Sequence, residues 1–137
     1  YVLENATAGT GNIVADDSAG AVDQWEFFAT EITGAAVVSV DQFTGLSGTS
    51  TTPSSGSSDA TTQAQAAELL LGAVWRANPI ITGTFSNSFV QGQTLSQAGR
   101  SMEECYLIVS STGSYAAAKT GCTSSVWRAL IVTLKEN

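Results

Sequence analysis

Apolar and polar positions alternate along much of this chain with a period of two. Trp25, Phe27 and Ala29 share one face of an extended segment. Ala36, Val38 and Val40 share a face of the next, with Ser39 and Asp41 opposite. That period belongs to a β-strand, whose successive side chains point to opposite sides of a sheet. Gly, Asn and Asp punctuate the pattern about every eight to twelve positions, the spacing of an antiparallel sandwich or barrel. The pattern predicts strands over residues 11–14, 23–30, 35–43, 68–76, 80–89, 102–110, 115–120 and 125–134. Residues 61–75 are ambiguous. TTQAQAAELL suits a helical turn, whereas Gly72 and Trp75 suit a sheet, so the strand is placed from Glu68 onward.

The last segment, VWRALIVTL, is apolar on both sides. Val126, Leu130, Val132 and Leu134 fall on one face, and Trp127, Ala129 and Ile131 on the other. Such a strand is normally covered on both faces, yet each sheet of a two-layer sandwich turns one face to solvent. Two readings stay open: a loop or Trp127 itself provides the cover, or Trp127, Ala129 and Ile131 form a subunit interface. Residues 47–62, SGTSTTPSSGSSDATT, contain no apolar side chain except Ala60 and read as an exposed loop, either a plain connection or an O-glycosylated display segment.

Composition narrows the function classes. The 137 residues fit one domain, residues 1–137, with residues 1–9 as an extended arm. Charged residues make up only 12% while apolar ones make up 43%, and hydroxyl groups take the place of charge, with 17 Ser and 17 Thr. A polar but weakly ionic coat is usual for secreted and virion proteins. A net charge of −7, with basic residues confined to Arg76, Arg100, Lys119, Arg128 and Lys135, argues against nucleic acid as a partner. The longest apolar run, around Leu69–Leu71, is far too short to cross a bilayer. The chain opens on Tyr1, as a processed or trimmed chain would.

Candidate chemistry is sparse. With no histidine, Ser–His–Asp and Cys–His arrangements are ruled out, and a Ser–Lys dyad would need Lys119 or Lys135. The adjacent acids Asp16–Asp17 and Glu103–Glu104 point to opposite faces if they lie on strands, so neither makes a glycosidase pair. Asp16, Asp17 and Asp23 near Gly20 offer oxygen ligands for Ca²⁺ or form a solvated turn, and their spacing fits no EF-hand. Trp75, at a strand end before Asn78–Pro79, is the candidate platform for a sugar ring, while Trp25 and Trp127 read as core. Asn5-Ala6-Thr7 is a glycosylation sequon. Ser111–Tyr115 reads as a hairpin with Gly113 first in a type II′ turn. Pairing about that turn places Cys105 opposite Cys122 at a non-hydrogen-bonded position, where a cross-strand disulfide fits.

Four stretches resemble a known group of domains: FTGLSGTSTTPSSGSS (residues 43–58), AELLLGAV (67–74), STGSYAAAKT (111–120) and VWRALIVTLK (126–135). The chain resembles small Ser/Thr-rich β-sandwich domains of predicted phage virion proteins and of bacterial or archaeal surface proteins. The resemblance implies a jelly-roll or immunoglobulin-like sandwich without enzymatic activity. Such domains carry further strands upstream, which implies completion by a strand from a neighbouring subunit. The arm that begins Tyr1, Val2, Leu3 is the candidate connector.

The expected protein is therefore a non-enzymatic structural subunit of a virion, as a decoration or tail component, or of an extracellular filament. It is expected to be homo-oligomeric, to contact copies of itself or other virion or surface subunits, and to need no cofactor or metal. Its expected location is the virion or the extracellular surface. The alternative is a carbohydrate-binding surface module.

Overall fold

The alternating pattern folds into seven antiparallel strands. The computed structural model describes residues 27–32, 35–57 and 68–136, and no helix occurs among them. The strands are β1 (Ala35–Ser50), β2 (Glu68–Arg76), β3 (Thr84–Phe85), β4 (Val90–Gln97), β5 (Arg100–Val109), β6 (Lys119–Thr120) and β7 (Ser125–Glu136). Five of them form one sheet in the order β1-β7-β2-β5-β4, and β3 pairs with β6 as a separate ribbon. The chain is all-β.

The burial of β2 follows from its sequence. ELLLGAVWR is buried at every second residue, Glu68 through Arg76. It pairs with β5 and β7 without a register shift along its whole length. One face of the sheet is thus set by Leu70 and Val74 on β2, Cys105 and Val109 on β5, and Trp127, Ala129 and Ile131 on β7, all buried. We call this the inner face. Phe89, Ala117 and the partly buried Phe85, Leu107 and Tyr115 pack onto it.

The ribbon and the polar stretch after β1 cover the inner face together. Lys119 N donates to Pro53 O at 2.9 Å, Ser55 N to Ala117 O at 2.9 Å, and Ser86 N to Ala118 O at 2.8 Å. Ser55 Oγ accepts from Ala117 N at 3.0 Å. These bonds satisfy the backbone of a layer too short for a regular ladder. The layers come closest at Gly72, where an added Cβ would lie 2.4 Å from Ala117 Cβ and 2.8 Å from Cys105 Sγ.

Several sequence expectations need correcting. Residues 47–62 are not one loop: Ser47–Ser50 continue β1, and Pro53 and Ser55 are buried, while residues 58–62 lie outside the described residues. The expected strand over 80–89 shrinks to Thr84–Phe85, that over 115–120 to Lys119–Thr120, and residues 27–30 are not in a strand. β4 was not expected. The disulfide also fails: Cys105 and Cys122 are both free and buried. The predicted hairpin does not form, because β5 pairs with β2 and β4. Tyr115 Oη instead donates to Ser111 O at 2.9 Å, folding that segment onto itself.

Gly72→Ala should therefore destabilise the fold. Overpacking of this kind costs about 1–3 kcal/mol, and a lowered urea midpoint with unchanged slope would register it. Thiol titration of the unfolded, unreduced protein should find both sulfhydryls of Cys105 and Cys122 free.

Candidate functional site

The opposite, outer face of the sheet is the least covered apolar surface described. Register aligns Phe43, Val132, Leu71, Tyr106 and Val90 in one row across all five strands. A second row contains Leu130 and Ala73, and a third Trp75 and Met102. Phe43 is 80% and Ile108 73% exposed, and Val90, Val126 and Leu130 are about half exposed. Large apolar side chains this open, set side by side, mark an interaction surface more often than a monomer's surface.

One described segment crosses this face. Residues 27–32 lie over β4 and β5, tied by Thr30 Oγ1 donating to Glu104 Oε1 at 2.6 Å and by Gln93 Nε2 donating to Ala29 O at 3.3 Å. Beneath them is a groove of about 500 Å³ lined by Thr30, Ile32, Leu69, Leu71, Gln93 and Tyr106 among others. Its walls are chiefly apolar, with Glu31 and Glu104 as the carboxylates. Glu103 and Glu104 point to opposite faces, as strand geometry requires: Glu103 is fully buried and Glu104 borders the groove.

The inner face hides an ionic cluster that sequence reading missed. Arg76, Glu103 and Lys119 are at most 1% exposed. Arg76 Nη2 donates to Glu103 Oε1 at 3.3 Å, and Lys119 Nζ pairs with Glu103 Oε2. The Arg76 fork also reaches Ile80 O at 2.9 Å and Thr82 Oγ1 at 3.2 Å, leaving its Nε without a partner. Lys119 Nζ stands 5.0 Å from the centre of the Phe85 ring, within cation–π range. Both oxygens of Glu103 are occupied by cations, so the cluster presents no open carboxylate to a substrate.

The thiols flank this cluster without joining. Burial pushes Cys105 up to about 12, and burial likewise raises Cys122. Both are therefore thiols rather than nucleophilic thiolates near neutral pH. Cys122 Sγ donates to Thr82 O at 3.3 Å.

The expected interface residues Trp127, Ala129 and Ile131 are core residues, 8%, 4% and 0% exposed. Trp127 donates from Nε1 to Ser50 Oγ at 2.9 Å. The exposed apolar residues of β7 are on the other side, Val126 and Leu130. Trp75 is half-buried on the outer face, opposite Arg128 and Met102. Tyr1, Val2, Leu3, Asn5, Asp16, Asp17, Asp23 and Trp25 lie outside the described residues. Among the described residues no group of three or more His, Cys, Asp or Glu is placed to hold a metal ion.

Glu103→Leu should cost about 3–5 kcal/mol, because it strands two buried cations. Replacing all three members together, Arg76→Met, Glu103→Leu and Lys119→Met, should recover most of that loss. Urea unfolding of the single and triple variants measures the difference.

No protein-family model matches the chain, and the searches of curated proteins and of solved structures found no match either.

Proposed function

We propose that this chain is a non-enzymatic structural subunit of a virion or of an extracellular filament, and that it works by contact with copies of itself. The observation that carries the reading is the outer face of the sheet. Phe43, Val90, Tyr106, Ile108, Val126 and Leu130 are all exposed on one all-β scaffold. An exposed apolar patch on one face can serve an isologous contact, in which identical subunits meet through the same surface. The hydroxyl-rich composition and the absence of histidine from the chain fit a surface role as well.

The finer architecture belongs to the same proposal. The β3–β6 ribbon and residues 51–57, set against the inner face, make a small second layer, as in a jelly-roll or immunoglobulin-like sandwich. A strand from a neighbouring subunit would extend such a sheet, and the arm beginning Tyr1, Val2, Leu3 is the candidate donor. Both sheet edges offer a register for it among the described residues: β1 and β4 each pair on one side only, and neither contains Lys or Pro to blunt its edge.

Light scattering of the intact chain over a range of concentrations should show a defined oligomer. Ile108→Lys with Leu130→Lys should leave a folded monomer of unchanged thermal stability, since both side chains are exposed. Deleting residues 1–8 should leave a soluble domain that no longer extends beyond that oligomer. A wild-type chain that stays monomeric at every concentration would overturn the reading.

A further inference from the structure

At one end of the large sheet, three strands bring two acids and one base together. Glu68 opens β2, and Lys135 faces it across the ladder from β7. Asp41 comes from β1, on the far side of β7. It does so because the β1–β7 register slips between Val40 and Phe43, and a bulge re-aims the side chains within it. Gln42 N, in the same bulge, donates to Thr133 Oγ1 at 2.9 Å. Asp41 Oδ1 takes a hydrogen bond from Lys135 Nζ at 3.1 Å, with the Asp41 side chain only 3% exposed.

Glu68 is the odd member. It is 2% exposed, and neither of its carboxylate oxygens has a hydrogen-bond partner. With both acids ionised the group would carry one negative charge more than Lys135 neutralises. A buried, unpaired carboxylate is expensive and takes up a proton instead. The groups that face it are Asp41 from β1, and Lys135 and the Thr133 hydroxyl from β7. Its β5 neighbour across the ladder is the apolar Val109.

We propose that Glu68 and Asp41 hold one proton between them in the folded protein, and that this proton fastens the bulged part of β1 to β7 and β2. The anchorage of β1 is then pH-dependent, firm in mild acid and weaker once the proton is lost. Burial raises the Glu68 carboxyl above the usual carboxylate range, and the Asp41 charge raises it further. The Thr133 hydroxyl and Lys135 offset this in part. A folded value above the unfolded one means that the contribution is complete below the unfolded value. It is lost as the pH rises through the folded value. That sign is opposite to the ordinary salt-bridged carboxylate.

The test compares the intact chain with Glu68→Gln, a neutral side chain of the same shape, by urea unfolding between about pH 5 and pH 8, on either side of any raised carboxyl value. The variant should gain on the wild type as the pH rises, the ratio of their unfolding constants shifting about tenfold for each unit by which the carboxyl is raised. Amide exchange at Gln42 and Phe43, corrected for its intrinsic pH dependence, should quicken at the higher pH in the wild type alone. A ratio that does not change with pH overturns the proposal. So does a Glu68 carboxyl carbon titrating at or below the ordinary carboxylate value by NMR, a measurement that needs no variant. Calcium chloride at the higher pH should not restore the wild type; if it does, a metal ion fills the place assigned to the proton, and the proposal fails.

Discussion

One buried carboxylate fixes how the two layers of this protein meet. Glu103 on β5 takes Arg76 from β2 on one oxygen and Lys119 from β6 on the other. The remaining arms of those cations carry the constraint outward. Arg76 binds the Ile80 carbonyl and Thr82, holding the turn that leads into β3. The backbone of Lys119 binds Pro53, holding the stretch that follows β1. Apolar contact is non-directional, so a ribbon slipped along the sheet would bury nearly as much surface. It would also leave two cations and a carboxylate unpaired in a dry interior, where each costs several kcal/mol. The cluster therefore acts on arrangement more than on net stability.

This explains which parts of the fold were legible in the sequence. β2 was read with its observed bounds, because ELLLGAVWR keeps period two over nine residues and sits between two partners. β7 was legible for the same reason. β4 was not: VQGQTLSQ is polar, exposed along its length and bulged at Gly92–Gln93, so nothing in it announces a strand. It exists because β5 has a free edge to fill. The ribbon was over-read for the opposite reason. Phe, Ile and Thr in residues 80–89 have strand propensity, but the chain there turns to meet Arg76 rather than running straight. The Cys105–Cys122 register was a local argument about one turn, and the long-range pairing of β5 with β2 overrode it.

The candidate site was half legible. The two-faced apolarity of VWRALIVTL did point to two burial events, and one of them is the core. The β7 residues named for an interface, Trp127, Ala129 and Ile131, are on the buried face. Trp127 alone spans the width of a strand pair, reaching over Gly48 to Ser50, and cover by Trp127 itself is one of the two readings that the sequence leaves open for this face. Sequence spacing assigns residues to faces but says nothing of which face the second layer takes. That choice is made here by Glu103 and Arg76, whose side chains lie on the inner face with Trp127 and Ile131. Had the basic residues been read as potential buried partners rather than as surface charge, Arg76 at a buried period-two position of β2 was the available signal.

The same placement changes what the net charge means. Arg76 and Lys119 are sealed inside with a single acid, so that cluster removes more positive than negative charge from the surface. Lys135 is committed to Asp41. Three of the five basic residues in the chain are thus committed to buried acids, and the formal net charge of −7 leaves an acidic surface. Two copies that approach one another carry like charge and repel, in proportion to how little salt screens them. An outer face held together by ion pairs would be hard to build from such a surface. If copies associate as proposed, apolar side chains such as Phe43, Ile108 and Leu130, which the sheet exposes, would carry the contact better than ion pairs.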